Sequence, residues 1–93
     1  MPIKTNIRKL LSKKHDKNFS FSELVKILHY LGFKERIKGD HHIFTKKGIK
    51  EIINIQPRKD GTSKPYQIKQ IRKIIIDYKL DEMVNSNGKQ NKI

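Results

Sequence analysis

The sequence predicts one α+β domain of order αβββα, a three-stranded antiparallel sheet with two helices on one face. Three observations predict it. Two segments, near residues 20–31 and 65–78, place apolar residues at helical spacing behind recognisable start signals. Between them lie three short runs with strand chemistry, set apart by glycine-containing turns. At 93 residues the chain has room for one domain and a small core.

The first helix begins at Ser20. Ser20-Phe21-Ser22-Glu23 fits a capping box, in which the serine oxygen accepts from the Glu23 backbone N–H and the Glu23 carboxylate reaches back. Phe19 and Leu24 stand at the spacing of a hydrophobic staple. Phe21, Leu24, Val25, Leu28 and Leu31 then form one apolar face, and Gly32 supplies the stop. Strands are expected at Phe33–Ile37, His41–Thr45 and Glu51–Gln56, with turns at Lys38-Gly39-Asp40 and Lys46-Lys47-Gly48. Pro57 closes the third strand because it cannot donate to a ladder. The loop RKDGTSK leads to Pro65, suited to the first turn of a helix capped by Ser63 or Lys64. Ile68, Ile71, Ile74, Ile75 and Tyr78 form the apolar stripe of this second helix, and Lys69, Arg72, Lys73 and Lys79 line the rest.

Two extensions flank this core. Residues 1–19 form a basic N-terminal segment in which Ile3, Ile7, Leu10 and Leu11 are helically spaced, read as a short weakly docked helix or a disordered arm. Residues 81–93 are polar and aperiodic and are expected to be a flexible tail. The domain proper spans 20–80.

Charge is the strongest global signal. The chain holds 22 Lys and Arg against 9 Asp and Glu, a formal net charge of +13. The excess is +5 over 1–19, +8 over 20–80 and zero over 81–93, so it belongs to the folding part as well as to an extension. Such a surface attracts polyanions, of which nucleic acid is the commonest in a cell. Without cysteine there are no disulfides, thiolate metal sites or thiol catalysis. No apolar run approaches the ~20 residues that cross a membrane, and the N-terminus lacks the apolar block of a secretory signal, so a cytoplasmic protein without a membrane partner is expected.

Against that background Gly39-Asp40-His41-His42-Ile43-Phe44 stands out. Adjacent residues on a strand point to opposite faces, so His41 and His42 cannot chelate one ion together, and neither a metal nor another cofactor is expected. A structural reading has one histidine packed and the other solvated. A chemical reading draws on the cations nearby: Arg36, Lys38, Lys46, Lys47, Arg58 and Lys59. Imidazole moves protons near pH 7, nearby cations favour its neutral form, and the same cations stabilise charge growing on a phosphate. These are the requirements of metal-free phosphodiester cleavage.

The order of signals resembles the HicA family of toxin ribonucleases from HicA–HicB toxin–antitoxin systems. The carrying motifs are Leu31-Gly32-Phe33, Gly39-Asp40-His41-His42-Ile43-Phe44, Ile55-Gln56-Pro57-Arg58, and Lys64-Pro65 with Ile68, Ile71 and Ile74 behind, together covering about residues 20–80. The resemblance implies a double-stranded-RNA-binding-domain-like fold and metal-independent cleavage of mRNA by a single histidine. It implies His41 as that histidine, and a HicB-like antitoxin partner that covers the catalytic face. Asp40 stands where the family usually has serine, and the two extensions exceed the usual length.

The leading expectation is therefore an mRNA endoribonuclease toxin with His41 as general acid/base and His42 as the alternate. Lys38, Lys46, Lys47, Arg58, Lys59 and Lys64 are expected to hold RNA phosphates, with Gly39 and Asp40 forming the turn at the site. The attacking group is either the 2′-OH or water. The alternatives are a non-catalytic RNA-binding module and a basic face made for an acidic protein. Strand alternation groups His41 with Ile43 and His42 with Phe44, and leaves open which pair faces the core.

Overall fold

The computed structural model describes residues 2–82. Its elements run α1 (Ile3–Leu11), α2 (Phe21–Tyr30), β1 (Lys34–Lys38), β2 (His41–Thr45), β3 (Ile53–Ile55) and α3 (Pro65–Asp77). The strands form one antiparallel sheet in the order β1-β2-β3. From α2 to α3 this is the expected αβββα order, and α1 precedes it. Residues 83–93, most of the expected tail, lie outside the described residues.

One sheet face builds the core. Phe44, Ile53 and Ile55 join a buried cluster with Leu24, Ile27 and Leu28 of α2 and Ile68, Ile71 and Ile75 of α3. The cluster also takes in Ile7 and Leu10 of α1, both essentially inaccessible to solvent. Residues 3–11, read above as a helix or a disordered arm, thus form a helix whose apolar side is part of the core.

The helix boundaries follow the sequence signals, with one change of partner. Ser20 Oγ accepts from the Glu23 N–H at 3.3 Å, the first half of the capping box. The second half is replaced: the Glu23 carboxylate accepts from Asn6 Nδ2, because the buried Asn6 of α1 needs an acceptor there. At the other end of α2, Gly32 takes φ +97° and the Phe33 N–H donates to Leu28 O, closing the helix with a Schellman-type bond. That N–H is consumed by the cap, so β1 begins at Lys34 rather than at Phe33.

The third strand is shorter than the expected Glu51–Gln56. Tyr78 Oη donates to Glu51 Oε1 at 2.6 Å and accepts from the Lys50 N–H at 3.3 Å, tying 50–51 to the end of α3. Beyond Ile55, the Gln56 N–H donates to Gln67 Oε1. The ladder keeps Ile53–Ile55.

Arg72 corrects the expectation that it lines the exposed side of the last helix. It is buried, and its guanidinium makes a bidentate pair with Asp16, Nη1–Oδ1 and Nη2–Oδ2 both at 2.9 Å, while Nη1 also donates to Leu10 O at 3.1 Å. Arg72 hydrogen bonds outweigh burial and hold the Asp16 carboxyl below its usual range. The loop before α3 is pinned in turn, Ser63 N–H donating to Phe19 O and Phe21 N–H to Gly61 O.

Candidate active site

The register separates the two histidines. Phe44 pairs with Ile53 and His42 with Ile55, so His42 belongs to the inner face with the buried isoleucines. His41, Ile43, Asn54 and the β1 residues Lys34, Arg36 and Lys38 belong to the outer, open face.

His41 is half-exposed and lies directly across from Lys38. Its Nδ1 is 3.0 Å from Asn54 Oδ1. An amide oxygen only accepts, so Nδ1 carries the proton, and in the neutral ring the free lone pair is the one on Nε2. The nearest carboxylate oxygen to Nε2 is Asp40 Oδ1, at 3.9 Å, beyond hydrogen-bond range. Asp40 is occupied elsewhere, accepting from Gln56 Nε2 at 2.5 Å and so bracing the β1–β2 turn against the end of β3. Gly39 makes that turn at φ +62°. Lys38, Gly39, His41, Ile43 and Asn54 together line a depression of about 490 Å³. A proton acceptor, its orienting amide and an ammonium thus share one open concavity.

His42 is set differently. Its Nδ1 donates to Glu35 Oε2 at 2.6 Å, and His29 Nε2 donates to Glu35 Oε1 at 2.7 Å. The rings of Phe21 and Phe44 meet His42 and His29 edge-on. Burial opposes ionisation of Glu35, but the hydrogen bonds from His42 and His29 prevail and keep its carboxyl below the usual range. This clamp joins α2 to the β1–β2 hairpin. No set of three or more His, Cys, Asp or Glu side chains suited to a metal ion occurs among the described residues.

The remaining expected contacts divide by their end of the sheet. Arg58 and Lys59 follow Gln56 and Pro57, at the end that carries His41, in a turn where Thr62 donates twice to Asp60. Those two bonds hold the Asp60 carboxyl below its usual range. Lys64 is the N-cap residue of α3. Lys46 and Lys47 lie at the far end of β2, five and six residues from His41, or about 17–20 Å along an extended strand. Lys46 lies instead over the end of α2, its Nζ only 2.6 Å from where a Cβ on Gly32 would stand.

Asn54 was not singled out above. Its signal is the polar residue between Ile53 and Ile55, which alternation sends to the face opposite the core. The diagonal reach to His41 comes from the β2–β3 register, which no local pattern specifies.

Fold and site define a small α+β protein that presents an oriented imidazole among cations on a sheet face left uncovered by the described residues. The family model described as HicA toxin of bacterial toxin–antitoxin matches residues 21–75, more than half of the chain. The chain belongs to the HicA toxin family. The match begins at the first residue of α2 and ends within α3, leaving α1 outside it. No curated protein and no solved structure matched the chain. No helix among the described residues is long and apolar enough to cross a membrane.

Proposed function

We propose that this HicA-family chain is a metal-independent endoribonuclease that cleaves mRNA, with His41 as its general acid/base. One observation carries the proposal: His41 Nδ1 is engaged by Asn54 while Nε2 stays open beside Lys38 in the depression on the outer face. In the reaction, Nε2 takes the proton of the attacking hydroxyl, and the Lys38 ammonium stabilises charge developing on the phosphate oxygens. With the 2′-OH as nucleophile, the 2′-oxygen–phosphorus bond forms and the bond to the 5′-oxygen breaks. The products are a cyclic phosphate and a 5′-hydroxyl, and the imidazolium returns a proton to the leaving oxygen. With water as nucleophile the same imidazole serves, but no cyclic product forms.

Arg58 and Lys59 are the further cations at that end of the sheet and hold flanking phosphates, with Lys64 as a more distant contact. Lys46 and Lys47 are too far along β2 to reach the same phosphate. The same open face is where a HicB-like antitoxin would neutralise the toxin by covering it.

The test is controlled expression of the wild-type chain beside His41→Ala, following growth and mRNA integrity, with thermal melts of both proteins. The wild type is expected to arrest growth and fragment mRNA, and the variant to do neither while melting normally and still binding RNA. Equal harmlessness, with whole mRNA in both cultures, would leave a non-catalytic RNA-binding module as the better reading.

A further inference from the structure

The outer face carries a second ordered feature beyond the depression at His41. Lys34, Arg36 and Lys38 occupy alternate positions of β1 and are all exposed. They pair across the ladder with Thr45, Ile43 and His41 respectively. Among the described residues none of the three has a salt-bridge or side-chain hydrogen-bond partner. The acid within β1, Glu35, sits on the inner side and is held there by His29 and His42. The three outward side chains of β1 are therefore all cationic.

The row is also continuous with the site. A second depression, of about 190 Å³, is lined by Lys34, Glu35, Arg36, Ile43 and Thr45. Ile43 lines both depressions, so they adjoin across its side chain. Alternate residues on a strand are about 6.8 Å apart, close to the length of one extended nucleotide step. β1 is an edge strand, so nothing in the sheet crowds the outer side of the row.

We propose that Lys38, Arg36 and Lys34 form a backbone track for an extended single strand of RNA. It starts at the cleaved phosphate beside His41 and carries two further phosphates on one side of it. The track rests on the functional reading above and deepens it by naming the form of the substrate. A straight file of single charges on one flat face matches one backbone, whereas a duplex presents two strands across a groove. Charged grooves that follow one backbone are the usual device for single-stranded nucleic acid. Apart from His41 at the cleaved phosphate, none of the strand residues on the outer face is aromatic, so base stacking contributes little along the Arg36 and Lys34 part of the track and base preference there should be weak.

The experiment measures binding of a fluorescently labelled 12-nucleotide single strand as a function of KCl, in a His41→Ala background so that the RNA stays whole. A hairpin of the same number of nucleotides is the comparison. Each lost phosphate contact on a single strand lowers the salt slope by about 0.7, so Arg36→Ala and Lys34→Ala should each lose that much and the pair about 1.4. Arg36→Lys should keep the slope, and Lys26→Ala on α2, beside Glu23, should leave it unchanged. Tighter binding of the single strand than of the hairpin is expected. Unchanged slopes, a loss equal to that of Lys26→Ala, or tighter binding of the hairpin overturns the track. Cleavage in the presence of intact His41 is read separately. If His41→Ala still cuts RNA the catalytic reading fails, whatever the slopes show.

Discussion

Removing the Asp16 carboxylate tests the placement of the N-terminal segment in the core. In Asp16→Ala the Arg72 guanidinium stays buried and loses both of its 2.9 Å partners, keeping only Leu10 O at 3.1 Å. Breaking a buried pair from one side costs roughly 3–5 kcal/mol. The remaining carbonyl, and the 14% exposure of the Asp16 side chain, put this case at the low end, about 3 kcal/mol. For a domain of this size that is roughly 12–24 °C in Tm, and a large part of a total stability of about 5–15 kcal/mol. The assay is thermal and urea denaturation followed by circular dichroism. A pH series adds an independent check. The folded Asp16 carboxyl lies below the ordinary 3.8 because the Arg72 hydrogen bonds outweigh burial. Its contribution is therefore complete above the unfolded value and is lost as pH falls through the folded one. Between pH 5 and 2 the wild type should lose more stability than Asp16→Ala does, since the variant has no such group to protonate. A variant that melts within about 2 °C of wild type at pH 7 would refute the burial argument.

Two further outcomes test the site and the fold. Asn54→Ala removes the acceptor that sets the His41 tautomer, a hydrogen bond of about 0.5–1.5 kcal/mol. RNA cleavage by that variant should fall about 3- to 10-fold in kcat with KM nearly unchanged, in steady-state assays on a short RNA; an unchanged kcat would remove Asn54 from the mechanism. Gly32→Ala forces a side chain into φ +97° and against Lys46 Nζ, and should cost about 1–2 kcal/mol in urea titration. Most of that loss should persist with Lys46→Ala added, because the flexible lysine end can move aside and the backbone cannot.

Much of the fold was legible because its signals are local. The Ser20 cap, the Phe19–Leu24 pair and the Gly32 stop lie within a few residues of the bonds they make, so α2 could be placed almost to the residue. Strand ends were less legible, since Phe33 lost its N–H to a helix cap and the segment at Lys50 and Glu51 is tied to Tyr78 of a distant helix end. Arg72 looked like one more surface cation of the last helix, because the residue that buries it is 56 positions away. The placing of the histidines had the same character. Alternation separates His41 from His42 by itself, but the side that is covered depends on where α2 and α3 pack.

The amino-acid sequence by itself determined the α+β order, the basic surface and the motifs shared with HicA toxins, because each is written in composition or in short-range spacing. Tertiary structure alone decided that His42 joins Glu35 and His29 on the inner side while His41 meets Asn54 on the open one. It also decided that the N-terminal segment completes the core, through Ile7 and Leu10 of α1 and through Asp16, which follows α1 and pairs with Arg72. The physical reason is common to these cases: hydrogen bonds and burial between distant segments depend on register and packing, which appear only when the elements meet.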